Sequence, residues 1–394
     1  MSATRTTPLH ERHAALGASF TDFGGWDMPV RYTSDLGEHH AVRQAAGLFD
    51  ISHMAEFLVT GEGAGTFLDH ALAGRISTMK TGKAKYSLLL TDAGGVLDDV
   101  IVYRLADERF LVISNAGNRE AVAAAFAERV RDHSADAADA AVEDVSDAYA
   151  LIAVQGPRAR EIVEATAGIA DVAPALADLG YYAWSGGTFQ GEPLFIARTG
   201  YTGEDGFELM IPNALAPALW DALLVAGTPL GLVPAGLAAR DTLRLEAGMP
   251  LHGHELSTDI LPAQAGLGRV VAMDKADFIG KAALAAGGAL AVEGMTLRIG
   301  EAEAALARLD APSTFDTETF MDGKVRMVAL SLDNECQILH APLRQLDQTF
   351  FGLRAIVVGI RRGERFFAPE PGDQLHAGDK ALAAARHNDV DRAV

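Results

Sequence analysis

The strongest candidate for a ligand-binding side chain is Glu208, which follows a loop containing Gly200, Gly203 and Gly206. Glycine permits backbone turns that a side chain would forbid, and residues 207–211 then favour a strand. Alternation along that strand places Glu208 on the face opposite its apolar neighbours. A carboxylate held there can accept two parallel N–H groups, so it suits a flat donor edge such as an amidine or an aminopyrimidine. The alternative is a surface hairpin whose acids are solvated.

Two adjacent acids, Asp98 and Asp99, interrupt an apolar run at residues 96–105. Aspartate is disfavoured inside a strand, so its presence needs a reason. Because side chains alternate along a strand, one carboxylate can point to solvent while the other faces a pocket or the interior. A buried carboxylate must be paired or hydrogen-bonded. Alternatively, both acids cap the turn at residues 94–95.

Arg240 and Arg244 form a candidate anion-binding pair. The segment 236–247 has helical spacing, which places the two arginines on adjoining ridges. Like charges at i, i+4 repel each other unless an acid or an anionic ligand lies between them, and arginine binds carboxylates bidentately. The segment therefore suits an anionic substrate tail. The alternative is surface ion pairing with Asp241 and Glu246.

Other kinds of site are poorly supported. Cys336 is the only cysteine, which excludes an intrachain disulfide and a cysteine-based zinc site. The close histidine pairs at residues 39–40 and 252–254 lack the i, i+4 spacing of a helical metal site, so we predict no metal. Residues 47–54 predict a compact turn held by local hydrogen bonds rather than a catalytic triad. Neither the lysine of a phosphate-binding loop nor a nucleophile elbow is present.

Length and composition indicate a multidomain globular protein. The 394 residues predict about two to four domains. Hydrophobic residues make up 49% of the chain, but no long apolar run is free of charge, so no membrane span is expected. The net charge of −20, with no basic stripe, argues against a nucleic-acid partner. The first residues lack the apolar core of a signal peptide, which favours the cytoplasm.

The elements that must position these side chains follow an α+β pattern, in which runs of strands are separated by single helices. Residues 133–143, rich in alanine and aspartate, indicate a loose connection. Strands are expected at 56–59, 86–90, 96–105, 110–114, 149–154 and 207–211, with a hairpin at 181–197. Helices are expected at 34–46, 118–131, 155–164, 214–226 and 236–247.

A series of motifs recurs in a fixed order along residues 7–284. They are Thr7-Pro-Leu, Asp22-Phe-Gly-Gly-Trp-Asp-Met-Pro, Gly47-Leu-Phe-Asp-Ile-Ser-His-Met, Gly94-Gly-Val-Leu-Asp-Asp, Gln155-Gly-Pro, the segment 198–209, Pro234-Ala-Gly-Leu-Ala-Ala-Arg-Asp and Phe278-Ile-Gly-Lys-Ala-Ala-Leu. In this order and spacing they resemble the T protein of the glycine cleavage system, a folate-dependent aminomethyltransferase. So many matches at consistent spacing make the resemblance specific.

The resemblance implies a multidomain folate-binding fold and a one-carbon transfer. The aminomethyl group on the lipoyl arm of the H protein would be taken apart, its carbon passing to tetrahydrofolate as 5,10-methylenetetrahydrofolate while ammonia leaves. Position by position, Asp99 is then the acid beside the reacting nitrogens of the folate, and Glu208 binds the aminopyrimidine edge of the pterin. The remaining residues implied at the folate pocket are Tyr86, Tyr103, Asn115, Tyr201 and Arg240.

Two departures lie inside the matched region, and a larger one follows it. Ala55 stands where the family usually has glycine, and His252 where it usually has tyrosine. After residue 285 the family's usual β-barrel domain is not recognisable. Instead, residues 323–394 resemble the regulatory carboxyl-terminal domain of the TrkA type, a small α/β domain. The motifs are Ala341-Pro-Leu-Arg-Gln-Leu, Ala355-Ile-Val-Val-Gly-Ile-Arg-Arg-Gly and Pro369-Glu-Pro-Gly-Asp-Gln-Leu-His-Ala-Gly-Asp.

These matches divide the chain into four parts. The folate-binding core is expected at residues 1–146 and 147–285, a junction at 286–322 and the TrkA-C-like domain at 323–394. The chain thus resembles a T-protein core joined to a foreign tail, as a natural fusion or a chimera. In the family, the third domain closes one side of the folate channel, so its replacement would leave the pocket open on that side. Two outcomes are expected, a retained fold with reduced activity or a fully working enzyme.

Three functions are compatible with the two resemblances. The first is the aminomethyltransferase of the glycine cleavage system, with lipoylated H protein as partner and tetrahydrofolate as co-substrate. The second is another folate-dependent one-carbon transferase of the same fold, such as a demethylase of a small methylated substrate. The third is a non-catalytic regulatory protein whose tail senses a ligand or holds a homodimer together.

Overall fold

The computed structural model describes residues 4–133 and 139–286 and, in the carboxyl-terminal part, 317–320, 325–331, 355–362, 365–367, 374, 376 and 380–386. The chain divides into two compact units, Met1–Gly288 and Ala289–Val394. Within the described residues, no helix is both long enough and apolar enough to cross a membrane.

The first unit contains seven α-helices and fourteen strands among its described residues. The helices are α1 His10–Ala15, α2 Asp35–Gln44, α3 Ala64–Ala71, α4 Arg119–His133, α5 Ala159–Ala165, α6 Ala216–Gly227 and α7 Leu237–Glu246. The strands are β1 Ser19–Phe23, β2 Trp26–Arg31, β3 Ala46–Asp50, β4 Ala55–Thr60, β5 Ala84–Leu90, β6 Val96–Ala106, β7 Arg109–Ser114, β8 Ala141–Asp144, β9 Tyr149–Gln155, β10 Ile169–Ala173, β11 Trp184–Phe189, β12 Glu192–Ala197, β13 Gly206–Pro212 and β14 Leu232–Pro234.

The strands form a small β1–β2 hairpin and two large sheets. The five-stranded sheet has the order β5-β6-β7-β4-β8, and the seven-stranded sheet has the order β10-β11-β12-β13-β9-β3-β14. All neighbouring strands in both large sheets are antiparallel except β14 and β3. Both expected features, an α+β pattern and strands at the named segments, are confirmed.

A shared apolar cluster packs the two large sheets against each other. It combines Tyr103 and Leu111 of the five-stranded sheet with Leu151 and Ala197 of the seven-stranded sheet. Helices α2 and α7 contribute further buried side chains to it, Val42, Ala239 and Leu243 among them. Each sheet also has an apolar cluster of its own on its other face. Side chains on the facing surfaces of β6 and β13 are therefore brought together.

One local prediction was wrong, and a second was wrong in its last three residues. The segment 47–54 was expected to be a turn, but its first half belongs to β3, whose five residues are all buried. Pairing with β9 and β14 holds it in the seven-stranded sheet. In the expected loose connection at 133–143, residues 134–138 lie outside the described residues, while β8 pairs with β4. Both strands depend on partners distant in sequence, which local pattern does not show.

The described part of the second unit is an antiparallel five-stranded sheet. Its strands are β15 Thr317–Phe320, β16 Val325–Ser331, β17 Ala355–Arg362, β18 Arg365–Phe367 and β19 Lys380–Arg386, in the order β15-β16-β19-β17-β18. The predicted strand motif at 355–363 thus forms β17. The motif at 341–346 and most of the expected junction at 286–322 lie outside the described residues.

Candidate functional site

Glu208 lies on β13, on the face turned away from that sheet's own apolar cluster. Phe207 and Leu209 are fully buried in the cluster, whereas Glu208 is half-buried on the opposite face, as alternation predicted. Its cross-strand neighbours are small, Ala197 on β12 and Ala153 on β9. Small neighbours leave the carboxylate unobstructed on both sides. The solvated-hairpin alternative is therefore wrong.

The glycine-rich loop before β13 wraps around the buried side chain of Gln155. A Cβ atom at Gly200 would lie 2.0 Å from Gln155 Oε1, and one at Gly206 would lie 2.4 Å from Gln155 Nε2. The Gln155 amide donates to the Thr199 carbonyl at 3.1 Å and accepts from the Thr202 hydroxyl at 2.9 Å. Two of the loop glycines are thus required by close approach, and the loop presents Thr199 to Glu208.

The Glu208 carboxylate is held on one oxygen only. Oε2 accepts a hydrogen bond from the Thr199 hydroxyl at 2.5 Å, and the Tyr103 hydroxyl lies 3.5 Å away. No described residue donates to Oε1. Burial raises the pKa of Glu208, while the Thr199 hydrogen bond and the charge of Arg240 oppose that rise. The carboxylate is oriented but retains acceptor capacity for a ligand.

Arg240, whose charge acts on Glu208, lies on α7, and Glu38 fixes the start of this helix. The buried Glu38 carboxylate accepts from the backbone N–H of Gly236 at 2.9 Å, and from two backbone N–H groups after β2. A carboxylate at a helix N-terminus satisfies free N–H groups there. A Cβ atom at Gly236 would lie 2.3 Å from the Val30 carbonyl, so only glycine allows this approach.

The Arg240 guanidinium has no hydrogen-bond acceptor among the described residues. It lies over the ring of Tyr201, 4.7 Å from the centroid, and the Tyr201 hydroxyl donates to the Pro250 carbonyl at 2.6 Å. Burial lowers the pKa of Arg240, and the neighbouring Tyr201, Glu208 and Asp99 raise it. The charges of both carboxylates, Glu208 and Asp99, therefore act on the Arg240 guanidinium.

Arg244 behaves differently from Arg240. Its guanidinium pairs with Asp241 at 2.7 Å and with Glu255 at 2.8 Å. The expected pairing of Arg244 with Asp241 is present, but Arg244 is buried and not at the surface, and Glu246 pairs with Arg43 instead. Arg240 is the cation that remains available to a ligand.

Asp99 projects from β6 on the same side as Tyr103, toward the facing sheet. Its Oδ2 accepts from the Tyr86 hydroxyl at 3.0 Å, and its Oδ1 accepts from the Asn115 amide at 2.7 Å. Burial raises the pKa of Asp99; the hydrogen bonds from Tyr86 and Asn115 and the charge of His252 lower it. Asp98 accepts hydrogen bonds from Asn115 and Asn118. Neither acid is bonded to the turn at residues 94–95, so the turn-capping alternative is wrong.

We call Asp99, Glu208, Arg240, Tyr86, Tyr103, Asn115 and Tyr201 the carboxylate site. Contacts join these predicted residues in three groups, Asp99 with Tyr86 and Asn115, Glu208 with Tyr103, and Arg240 with Tyr201. Both acids act electrostatically on Arg240. The structure adds Thr199, which sequence reasoning missed, and Tyr182, whose pKa is raised to about 12 by burial and by the charges of Tyr181, Glu208 and Asp99. The Nε2–H of His252 donates to the Val96 carbonyl oxygen at 3.2 Å. Among the described residues, no cluster of His, Cys, Asp or Glu suits a metal ion.

Comparisons with known proteins give the same two assignments as the sequence motifs. The family model described as the GCVT N-terminal domain matches residues 9–275, and the model described as the TrkA-C domain matches residues 327–394. Both resemblances predicted from the motifs are thereby confirmed.

Individual relatives extend over most of the first unit. The aminomethyltransferase of Saccharopolyspora erythraea is 53% identical over 287 residues, covering 73% of this chain and 76% of that one. The aminomethyltransferase of Cutibacterium acnes is 54% identical over 288 residues, covering 72% and 76%. The crystal structure of glycine cleavage system aminomethyltransferase T from Bartonella henselae matches with a TM-score of 0.63 at 30% identity, covering 97% of this chain and 90% of that one.

The packing around Gln155 predicts that Gly200→Ala destabilises the protein. The new methyl group would collide with an amide that is hydrogen-bonded on both sides, so we expect a loss of about 1–3 kcal/mol in the free energy of unfolding. Gly180→Ala is the matched control, since a Cβ there meets only the Lys83 ammonium at 3.6 Å. The Gln155→Ala/Gly200→Ala double variant should lose less than the sum of the single variants. Equal unfolding free energies for Gly200→Ala and Gly180→Ala in urea would contradict this account.

Proposed function

Because this chain belongs to the GCVT family, whose relatives named above are aminomethyltransferases, we propose that it is a tetrahydrofolate-dependent aminomethyltransferase of the glycine cleavage system. Its partner would be the lipoylated H protein. The observation that carries the proposal is the carboxylate site: Glu208, with one oxygen held and one free, and Asp99, held by Tyr86 and Asn115, both lie near Arg240.

The proposed reaction balances without an oxidant. The methylene carbon leaves the sulfur of the lipoyl arm and the amino nitrogen, and it bonds to two nitrogens of tetrahydrofolate. The two protons displaced from those nitrogens end on the sulfur, giving the dithiol, and on the released ammonia. The protein must therefore bind the folate, orient it and move protons.

Glu208 supplies the binding contact for the pterin. An aminopyrimidine edge presents two parallel N–H groups, which match the two oxygens of an ionised carboxylate. The Thr199 hydroxyl fixes the Glu208 carboxylate in orientation before the ligand binds. The charge of Arg240 lowers the Glu208 pKa against the effect of burial and so favours the ionised form that the contact needs.

Asp99 supplies the acid beside the reacting nitrogens. Its carboxyl is held by Tyr86 on β5 and by Asn115, which follows β7. The orientation of the carboxyl is therefore set before a substrate binds. Burial keeps its pKa raised, which lets the carboxyl exchange a proton nearer neutral pH than an exposed aspartate. A proton donor there would assist departure of the amine.

Glu208→Ala should largely abolish tetrahydrofolate binding. Loss of a charge-assisted bidentate contact weakens affinity by about 10²-fold, on the order of 3 kcal/mol. Glu192→Ala is the matched control, since Glu192 is an exposed acid on the neighbouring strand β12. Isothermal titration calorimetry of both variants measures the effect. Wild-type affinity in Glu208→Ala would remove the role assigned to Glu208.

Turnover with lipoylated H protein tests the reaction itself. We expect methylenetetrahydrofolate formation from the aminomethylated H protein, and a fall in kcat of about 10²-fold or more in Asp99→Asn with tetrahydrofolate affinity retained. The same assay with small methylated amines as donors tests the alternative one-carbon transfer. Turnover with methylated amines but not with the H protein would replace the proposal by a demethylase.

The TrkA-C match supports a second role for the tail, in holding a homodimer. We expect the full chain to be a dimer and a chain ended at residue 322 to be a monomer, as measured by light scattering after gel filtration. If the shortened chain still forms methylenetetrahydrofolate, the tail is not needed for catalysis and its role is regulatory. An unchanged oligomeric state after removal of the tail would count against the dimer.

A further inference from the structure

Asp98 is a fully buried carboxylate that the proposed function does not use. It lies on β6 with its side chain on the same face as Val100 and Val102, away from the carboxylate site. All its hydrogen-bond partners among the described residues are N–H donors. No cation pairs with it there. A buried charge without a cation is costly, so its place inside an apolar strand calls for a reason beyond folding.

Three donors meet the Asp98 carboxylate. Oδ2 accepts from the backbone N–H of Asn115 at 3.0 Å, and Oδ1 accepts from the Asn115 amide at 2.8 Å and from the Asn118 amide at 2.8 Å. Asn115 follows β7, and Asn118 ends the short 3₁₀ turn before α4. Asp98 therefore fixes both the backbone and the side chain of Asn115.

The Asn115 amide joins the two acids. Its nitrogen lies 2.8 Å from Asp98 Oδ1 and 2.7 Å from Asp99 Oδ1. A primary amide has two N–H groups, so it can donate one to each carboxylate. The opposite amide orientation would set its oxygen against two carboxylate oxygens, so the contacts leave one orientation. Asp98 thus orients Asn115, and Asn115 orients Asp99.

We propose that Asp98 is a positioning residue for Asp99: through the amide of Asn115 it fixes the Asp99 carboxyl, and it directs the proton that the two acids share to Asp99. The inference rests on the proposed function, in which Asp99 is the acid of the reaction. It adds to that function the charge state of Asp99 and the residue that determines it.

The available partners decide which acid carries the proton. A protonated Asp98 would direct its O–H at N–H groups, which cannot accept a hydrogen bond. A protonated Asp99 can donate from Oδ2 to the Tyr86 hydroxyl, which turns from donor to acceptor. The proton is therefore accommodated on Asp99 and not on Asp98. Asp98 stays ionised, and its charge in turn favours the neutral form of Asp99.

The charged and titratable groups around the pair lie almost all on the side of Asp99. Those that act on Asp99 come from several elements: Tyr86 on β5, His252 after α7, Arg240 on α7, and Tyr182 and Tyr201 from the loops before β11 and β13. In the part of the chain that the structure describes, Asp99 is the charged group that acts on Asp98. Burial raises the pKa of both acids, and two like charges so close together favour the retention of one proton by the pair. The N–H donors around Asp98 place that proton on Asp99.

Asp98→Asn in the full chain tests the proposal through the pH profile of turnover. We expect kcat to fall about tenfold while the KM for tetrahydrofolate changes less than about threefold. Removing the neighbouring negative charge lowers the Asp99 pKa, so the basic limb of the kcat profile should move about one unit to lower pH. Asp178→Asn, at an exposed aspartate, is the control and should move nothing. A fall in kcat with an unmoved basic limb would show a merely structural Asp98 and overturn the proposal.

Asn118→Ala provides a second variant if Asp98→Asn fails to fold. It removes one of the three donors to Asp98 but leaves both acids and Asn115 in place. With one donor fewer, Asp98 takes up a proton more readily and its charge acts less on Asp99. We therefore expect a shift of the basic limb in the same direction but smaller. An unmoved limb in this variant also overturns the proposal.

A measurement independent of turnover separates this inference from the proposed function. The carboxyl carbons of ¹³C-labelled aspartate report ionisation by NMR, and the signal missing in Asp99→Asn identifies Asp99. Its titration should move to lower pH in Asp98→Asn and in Asn118→Ala, whether or not the protein turns over the H protein. If the protein does not turn over the H protein but the Asp99 titration still moves to lower pH in the variants, the proposed reaction is refuted. The effect of Asp98 on Asp99 is then supported. Identical Asp99 titrations in wild type and both variants would refute the coupling.

Discussion

The site depends on the burial of two carboxylates, Asp99 and Glu208, beside one guanidinium that has no acceptor among the described residues. Burial disfavours all three charges, as the raised pKa values of the acids and the lowered pKa of Arg240 show. Each of the three groups is therefore hydrogen-bonded by neutral donors or lies in the field of an opposite charge. Two acids and one guanidinium buried between two sheets require hydrogen-bond donors that the protein holds in fixed positions. Much of the surrounding structure serves that requirement.

The scaffold meets this requirement by separating apolar and polar side chains across each strand. On β13, alternate residues anchor the strand in its own cluster, which leaves Glu208 on the facing surface. On β6, the same alternation divides the two acids: Asp98 faces inward and Asp99 faces the opposite sheet. Gln155 and Glu38 then hold the loops that bring Thr199 and Arg240 to the carboxylates. Side chains outside the site thus determine its geometry.

Sequence patterns predicted what is local and missed what depends on distant pairing. Alternation located the strands that carry Glu208 and Asp99, and helical spacing located α7, since these patterns reflect each segment's own burial. The strand β3 was missed because its partners, β9 and β14, lie more than a hundred residues away. Helical spacing alone did not distinguish Arg240 from Arg244, since only packing shows that Glu255 pairs with Arg244. The Asp98 contacts were likewise hidden, because Asn115 reaches it only once β6 and β7 pair.

The residues of the carboxylate site all precede the part of the chain that matches the TrkA-C domain, residues 327–394. The residues of the carboxylate site, and those described as holding them, all belong to the unit Met1–Gly288. The hydrogen bonds to Asp99 and Glu208 come from β5, β6, the end of β7 and the loop before β13. Orientation of these carboxylates is therefore a property of the first unit's own packing. The residues that fix Glu208 and Asp99 thus all precede the TrkA-C match at residues 327–394.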